Sequence, residues 1–165
     1  MTKPDFETLV DKHSAEIFAY LWRMVRDEAD AQDCLQETYL RAYRNWGRLD
    51  ARPHHRAWLY KIATNVGLTF LRQRGREAQR HQPLDREIPA TGASPGEMVV
   101  ERETLKAVAA IVKRLPAQQR SALILRKYQE LSYSEIGAAL DCSEEAARAN
   151  VYQALKKLRQ ELSAL

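Results

Sequence analysis

The fold is decided by residues 131–159, LSYSEIGAALDCSEEAARANVYQALKKLR, which encode two amphipathic segments around a three-residue turn. Ser132 and Glu135 have the spacing of a capping box, in which the two side chains satisfy free N–H groups where a helix starts. Ser143 is suited to begin the second helix, because its hydroxyl can accept a hydrogen bond from the first turn. Two helices joined by so short a turn are typical of a helix-turn-helix.

The second of these helices has one apolar face and one outward face suited to the major groove of DNA. The outward face carries Arg148, Ala149, Tyr152, Gln153 and Lys156. Small residues allow close approach, a guanidinium and an amide can reach base edges, and a cation can bind phosphate. A packed surface helix with cations near its C-terminus has a similar pattern. The short helix and tight turn before it favour DNA binding.

The remainder of the chain is also predicted to be helical, without a convincing alternating strand pattern. Apolar spacing predicts helices at about 5–26, 28–46, 55–75, 97–115, 117–130, 134–140 and 144–164. Residues 77–97 hold three of the six prolines and two of the six glycines and lack helical periodicity, which indicates a flexible linker. We therefore predict an all-α protein of two small helical domains, residues 1–76 and 98–165, joined by this linker.

Charge in the N-terminal half is divided into two blocks of opposite sign. Residues 27–37 contain five acids and no Lys or Arg, whereas residues 56–76 contain five cations and no acid. Such a pair of blocks suggests two partners, one basic and one anionic, although either block alone could be a solvated helix face. The net charge of +4 permits a polyanionic partner without requiring one.

Several kinds of site are not expected. Cys34 and Cys142 lie more than a hundred positions apart, and the histidines have no ligand-like spacing to them, so we predict neither a disulfide nor a metal site. No catalytic triad or phosphate loop is present, so we predict no enzymatic activity and no cofactor. No apolar run approaches the ~18 residues of a membrane span, and the N-terminus does not resemble a signal peptide. We therefore expect a cytoplasmic protein without membrane insertion.

Three segments resemble, in order, those of the sigma-70 family of bacterial sigma factors. The run DAQDCLQETYLRAYRNW (30–46) is similar to region 2.2, and RAWLYKIATNVGLTFLRQR (56–74) to regions 2.3 and 2.4. The run LPAQQRSALILRKY (115–128) and residues 130–159 together resemble region 4. Because only a linker separates the two halves, the chain resembles the extracytoplasmic-function (ECF) group.

The resemblance implies a role for each segment. Region 2.2 would dock on the clamp of the largest subunit of core RNA polymerase, and its candidate residues are Asp33, Gln36, Glu37, Leu40 and Arg41. Regions 2.3 and 2.4 would recognise and open the −10 element of the promoter, with candidates Arg56, Trp58, Tyr60, Lys61, Asn65 and Arg72. Residues 49–55 correspond to a loop that cradles a flipped base.

Region 4 would read the −35 element through the outward face described above and would contact the flap region of the polymerase. The recognition helix has Ala146 and Ala147 where many family members have Thr-Val, and Gln153 where a basic residue is frequent. Fewer cations weaken non-specific attraction to DNA, so we expect this helix to depend on the polymerase for affinity. An anti-sigma factor is a further expected partner.

The sequence is compatible with two other functions. The chain could be an ordinary helix-turn-helix regulator whose residues 1–76 sense a signal or dimerise. It could also be a protein-interaction module whose basic faces are merely solvated. Binding of the N-terminal half to core polymerase would separate the first from a sigma factor, and a dependence of promoter use on Arg148 and Tyr152 would exclude the second.

Overall fold

The computed structural model describes residues 5–49, 54–80 and 97–164, and all regular secondary structure in these residues is α-helical. The helices are α1 (Phe6–Val25), α2 (Glu28–Trp46), α3 (His55–Arg80), α4 (Glu97–Arg114), α5 (Ala117–Lys127), α6 (Tyr133–Leu140) and α7 (Glu144–Ser163). The predicted all-α class is confirmed. Within the described residues, no helix is both long enough and apolar enough to cross a bilayer.

The helix boundaries follow local capping chemistry. Asp27 begins α2, where its carboxylate accepts a hydrogen bond of 2.9 Å from the N–H group of Asp30. The predicted capping box is present at α6, because the Ser132 hydroxyl and the Glu135 carboxylate each accept a bond from the other residue's N–H group. The Ser143 hydroxyl accepts from the N–H group of Ala146 at 3.0 Å and so begins α7.

Two helix ends differ from the prediction: α5 ends at Lys127 rather than near Glu130, and α3 is longer than expected. Helix α3 does not end near Gly75 but continues to Arg80, four residues into the segment predicted as a linker. A glycine inside a helix costs only about 1 kcal/mol, and the residues after Gly75 are mostly good helix formers. The rest of that segment, 81–96, lies outside the described residues. So do residues 50–53 of the loop expected to cradle a base.

Helices α1, α2 and α3 form an N-terminal unit, and α4 to α7 form a C-terminal unit around the helix-turn-helix. The two units pack on each other, with α3 against α6 and α1 against α5. Buried residues from both units therefore belong to one apolar cluster, including Ile17 and Leu21 from the first and Leu125 and Ile136 from the second. Burial of this apolar surface is the main force that holds the units together.

Candidate nucleic-acid and polymerase interfaces

The helix-turn-helix is held by a close approach of α6 to the turn before α7. A Cβ atom on Gly137 would lie 2.8 Å from the carbonyl oxygen of Cys142, so only glycine fits there without a shift of the backbone. Asp141 makes the turn in the left-handed conformation, with φ of 57°. On α7, Ala147, Val151 and Ala154 are buried. These contacts fix which face of α7 points outward.

The predicted −35 residues lie together on that outward face. Arg148, Ala149, Tyr152, Gln153 and Lys156 are all exposed. Tyr152 leaves 61% of its surface exposed, which is unusual for a large aromatic side chain. The face thus offers a guanidinium, an amide, a cation and an aromatic ring side by side.

A second arginine joins this face that the sequence analysis did not identify. Two guanidinium groups lie over the ring of Tyr133, that of Arg126 at 4.2 Å and that of Arg148 at 4.9 Å from the ring centre. Arg126 also donates a hydrogen bond of 3.0 Å to the carbonyl oxygen of Leu131. The only sequence signal was an arginine at the end of α5, which the helix C-terminus alone could explain.

The predicted polymerase-binding residues lie along α2. Asp33, Gln36 and Leu40 are exposed, whereas Glu37 and Arg41 are half-buried and form an ion pair of 2.9 Å. Tyr43, one turn after Leu40 and Tyr39, is exposed as well and was not identified from the sequence. The face thus combines carboxylates with exposed apolar groups, which suits a partner that is basic and partly apolar.

The predicted −10 residues on α3 separate into two groups. Asn65 and Arg72 are exposed, and Trp58 is half-buried with its ring 6.0 Å from that of Trp46. Arg56, Tyr60 and Lys61 instead face the C-terminal unit. Tyr60 is fully buried, so in this arrangement its ring is not a platform on which a base could stack.

A cluster of five polar side chains joins the two units at this point, and we call it the bridging cluster: Glu16, Arg56, Tyr60, Gln129 and Glu135. Arg56 pairs with Glu16 at 2.8 Å and with Glu135 at 3.0 Å. The Tyr60 hydroxyl donates to Glu16 at 2.7 Å and accepts from the Gln129 amide at 2.9 Å. Each of these polar groups has a hydrogen-bond partner, as buried polar groups require.

The electrostatics of the cluster favour its charged form. Burial opposes ionisation of Glu16, but hydrogen bonds from His13, Tyr60 and Arg56 outweigh burial and lower its pKa. The pKa of Glu135 is also lowered, first by its bond from the Ser132 backbone and then by its other bonds and by Arg56, although partial burial opposes this. Both carboxylates are therefore ionised near neutral pH, and Arg56 has two anionic partners.

The cysteines have the chemistry of packed thiols. Burial raises the pKa of Cys34 to about 11, with Asp30 and Asp33 acting in the same direction, and burial raises that of Cys142. A thiol that holds its proton is a poor nucleophile and a poor metal ligand. No group of metal-ligating side chains occurs in the described part of the chain.

Comparison with known families assigns both halves of the chain. The profile of Sigma-70 region 2 matches residues 9–77, and that of Sigma-70, region 4 matches residues 105–158. The RNA polymerase sigma factor CarQ of Myxococcus xanthus is 33% identical over 97% of this chain and 90% of its own length. The RNA polymerase sigma-H factor of Pseudomonas aeruginosa is 30% identical over 99% of this chain and 89% of its own length.

The fold is similar to those of two solved structures, one of them a sigma factor. The sigma factor RpoE of Bartonella quintana, in complex with the anti-sigma factor NepR, covers 96% of this chain and 97% of its own, with a TM-score of 0.74 and 23% identity. CnrH, in complex with the cytosolic domain of CnrY, has a TM-score of 0.68 and 24% identity over 96% of this chain and 88% of its own. The two profile matches and the relatives CarQ and sigma-H show that the chain belongs to the sigma-70 family of RNA polymerase sigma factors, and its similarity to ECF RNA polymerase sigma factors such as SigX of Bacillus subtilis (27% identical over 97% of this chain and 84% of its own length) places it in the ECF group.

Proposed function

We propose that this sigma factor reads promoters in two parts, with residues 1–76 acting on the −10 element and residues 98–165 on the −35 element. The single observation that carries this is the exposed face of α7, where Arg148, Tyr152 and Gln153 stand beside one another above a rigid turn. A guanidinium and an amide are the groups that pair with guanine and adenine edges in the major groove. The segment between the end of α3 and the start of α4 acts as the linker between the two readers.

The N-terminal unit supplies the strand-opening function. Opened bases must be held by cations along the backbone and by polar side chains at the base edges. On α3, the exposed Arg72 supplies a cation for the backbone and the exposed Asn65 supplies a polar side chain for a base edge. The loop at residues 49–55, which is expected to cradle a flipped base, follows the acidic helix α2 in sequence. The acidic face of α2 docks on the clamp of core polymerase, and the C-terminal unit contacts the flap region.

Full use of the −10 face requires the two units to separate. In this structure Tyr60 is buried, and Arg56 and Lys61 are paired with Glu135 and Asp141 of the C-terminal unit. The packed arrangement of the two units is therefore a closed state, which binding to polymerase would open. Binding of α2 to the clamp and of the C-terminal unit to the flap would hold the units apart and expose these three side chains.

An anti-sigma factor is a natural regulator of such a closed state. The sigma factor RpoE, which has a similar fold, was solved in complex with the anti-sigma factor NepR, and CnrH, also of similar fold, was solved in complex with the cytosolic domain of CnrY. A protein that stabilises the closed arrangement would keep the −10 face covered. We infer that this chain acts in the cytoplasm, where core polymerase and promoters are found, and that it needs no cofactor and catalyses no reaction of its own.

Run-off transcription with purified core polymerase on a library of promoters tests the proposal. We expect the chain to direct initiation at a defined set of promoters and Arg148→Ala to lose about 1–3 kcal/mol of −35 discrimination. Lys157→Ala, which removes an exposed cation of the same helix outside the proposed reading face, is the matched control. Failure to associate with core polymerase, or equal effects of the two substitutions, would overturn the proposal.

A further inference from the structure

Arg148, the arginine proposed above to read a base edge, contacts two side chains of the helix-turn-helix. Its Nη2 atom lies 3.6 Å from the carboxylate of Glu144, four residues earlier on α7. Its guanidinium also lies over the ring of Tyr133, the first residue of α6, at 4.9 Å from the ring centre. A free arginine side chain samples many rotamers, and fixing it on binding costs entropy. The two contacts restrict Arg148 before it meets DNA and so reduce that cost.

Both partners of Arg148 are themselves held in place. Tyr133 is partly buried and packs against the apolar core. Glu144 is the first residue of α7, and the hydroxyl of Ser143 next to it accepts a hydrogen bond of 3.0 Å from the first turn of the helix. The backbone of Glu144 also lies close to α6, since a Cβ atom on Gly137 would be 3.4 Å from its nitrogen. The helix-turn-helix itself therefore fixes Glu144 relative to Tyr133.

The ion pair between Glu144 and Arg148 has the favourable order for a helix, with the acid four residues before the cation. It is weak in the free protein, because the two side chains are 52% and 60% exposed and water screens their attraction. A duplex that covers α7 would displace much of this water and lower the effective dielectric, which strengthens the same ion pair. The pair is thus strongest in the complex with DNA, where Arg148 has to be oriented.

An acid at the position of Glu144 is not explained by the helix dipole alone. A recognition helix contacts base edges with its N-terminal residues, and a carboxylate there is repelled by the phosphates of DNA. The dipole favours acids in the first turn, but it favours Glu145 in the same way. Glu145 is exposed as well, and it has no ion pair among the described residues. Of these two acids, only Glu144 is placed to act on Arg148.

We propose that Glu144 is a positioning residue for −35 specificity, whose carboxylate directs the guanidinium of Arg148 to the guanine of one base pair. This inference rests on the proposed reading of the −35 element by α7. A guanidinium that pairs with guanine has further N–H donors left, so a carboxylate can bind the same group at another edge. An arginine held in this way is kept from neighbouring phosphates, which carry no sequence information.

Run-off transcription by the holoenzyme on one promoter and a set of its derivatives tests the role of Glu144. Each derivative changes one base pair of the −35 element, and the measured quantity is the ratio of transcript from the unchanged promoter to that from the derivative. Arg148→Ala should lower this ratio by roughly tenfold at the base pair that Arg148 reads. Glu144→Gln should lower it by about fivefold at the same base pair and leave the ratios at the other base pairs unchanged.

Glu145→Gln is the matched control, because it removes the same charge from the same turn of α7. Both substitutions should raise the affinity of the free chain for a random-sequence duplex at low salt, measured by fluorescence anisotropy, since each removes an acid that repels DNA. Both should lower the thermal melting temperature by similar small amounts, since each weakens the interaction with the helix dipole. Only Glu144→Gln should lower the transcription ratio, and net charge does not explain a gain in general attraction that accompanies a loss of discrimination.

The double variant with Glu144→Gln and Arg148→Ala separates positioning from direct reading. If Glu144 acts through Arg148, adding Glu144→Gln to Arg148→Ala should lower no ratio further. A carboxylate can also accept a hydrogen bond from the amino group of cytosine. A loss at a second base pair that persists in the double variant would assign Glu144 to such a contact and overturn the proposal.

Two further results would overturn the proposal. One is an equal loss for Glu144→Gln and Glu145→Gln, which would assign the effect to charge. The other is an unchanged set of ratios for Glu144→Gln while Arg148→Ala loses discrimination, which would leave the proposed reading of the −35 element intact and remove Glu144 from it. An Arg148→Ala variant that loses no base-specific discrimination would instead contradict the proposed function, and with it the role of Glu144.

Discussion

Arg56 of α3 pairs with Glu135 of α6 at 3.0 Å and so connects the proposed −10 reader to the helix-turn-helix. The same carboxylate accepts a hydrogen bond of 3.0 Å from the N–H group of Ser132 and so completes the capping box of α6. One side chain thus begins a helix and holds the two units together. Any event that draws Arg56 to DNA phosphate must first remove it from Glu135, so promoter binding and opening of the closed state are coupled.

Replacing Glu135 with glutamine should favour the open state. Glutamine preserves the capping box but removes the charge that attracts Arg56. Because both partners are partly exposed, the ion pair stabilises the closed state by about 0.2–1 kcal/mol. The fraction of chains in the open state, which can bind the −10 strand, should therefore rise by up to about fivefold. The affinity of the free chain for a labelled single-stranded −10 oligonucleotide, taken from a promoter found by run-off transcription, measures this change.

The control for that measurement is Glu145→Gln. It removes the same charge from the same unit at an exposed site in the first turn of α7. A general gain in attraction to DNA would raise the affinity of both variants alike, and such a result would contradict a role of Glu135 in closure.

Gln129 should be a stability determinant despite being a polar residue near a helix end. Its amide donates to the Tyr60 hydroxyl at 2.9 Å and to the carbonyl oxygen of Glu16 at 3.0 Å, and it accepts from Arg23 at 2.9 Å. Gln129→Ala leaves these buried groups without partners, so the free energy of unfolding should fall by about 1–3 kcal/mol. Urea denaturation measures it. The control is Gln118→Ala, at an exposed position of α5, which should change the free energy of unfolding by less than about 0.5 kcal/mol.

The secondary structure of the chain was predictable because its signals are local. Asp27 caps α2 and apolar spacing continues to Trp46, so the predicted helix at 28–46 has the observed bounds. The turn at Asp141–Ser143 was likewise specified by the residues beside it. The continuation of α3 past Gly75 was not predicted, because a glycine is typical of a helix end, whereas the helix formers after it extend α3 to Arg80.

The bridging cluster could not be predicted from sequence. Glu16 and Arg56 lie far in the chain from each other and from Gln129 and Glu135, and each of the four resembles an ordinary polar residue on a solvated helix face. Periodicity places a residue on a face but does not say which element covers that face. Tyr60 was a candidate for contact with the −10 element, whereas the structure buries its ring and gives its hydroxyl two partners.

Stability should fall in acid through the two carboxylates of the bridging cluster. The pKa values of Glu16 and Glu135 are both lowered from 4.5 in the folded chain. A carboxyl group whose pKa is lower in the folded chain than in the unfolded chain stabilises the fold at pH values above its unfolded pKa. This contribution is lost as the pH falls through the pKa of the folded chain. We therefore expect the free energy of unfolding to decline below about pH 4.5, as measured by urea denaturation across this range.

Glu16→Gln identifies the source of that decline. At neutral pH this variant should be less stable by about 1.5–3 kcal/mol, because bonds to a charged acceptor are lost. The difference from the unsubstituted chain should shrink as the pH is lowered, since protonation removes the same charge there. A difference that stays constant with pH would show that Glu16 contributes by shape alone. Glu7→Gln, exposed in the first turn of α1, is the control.

The approach of α6 to its turn gives the sharpest test of the helix-turn-helix. In Gly137→Ala the new methyl group would lie 2.8 Å from the carbonyl oxygen of Cys142, and because that atom is backbone it cannot rotate away. The turn must shift, so we expect a loss of about 1–3 kcal/mol in the free energy of unfolding. Gly75→Ala meets nothing within 4 Å and should instead stabilise the chain by about 0.5–1 kcal/mol.

The two glycine variants also separate stability from reading geometry. A shifted turn changes the angle at which α7 presents Arg148 and Tyr152, so Gly137→Ala should reduce run-off transcription even at temperatures where the variant is fully folded. Gly75→Ala should leave transcription unchanged, since it does not touch the turn. If Gly137→Ala transcribed normally while folded, the close contact at Cys142 would not be what sets the position of the reading face.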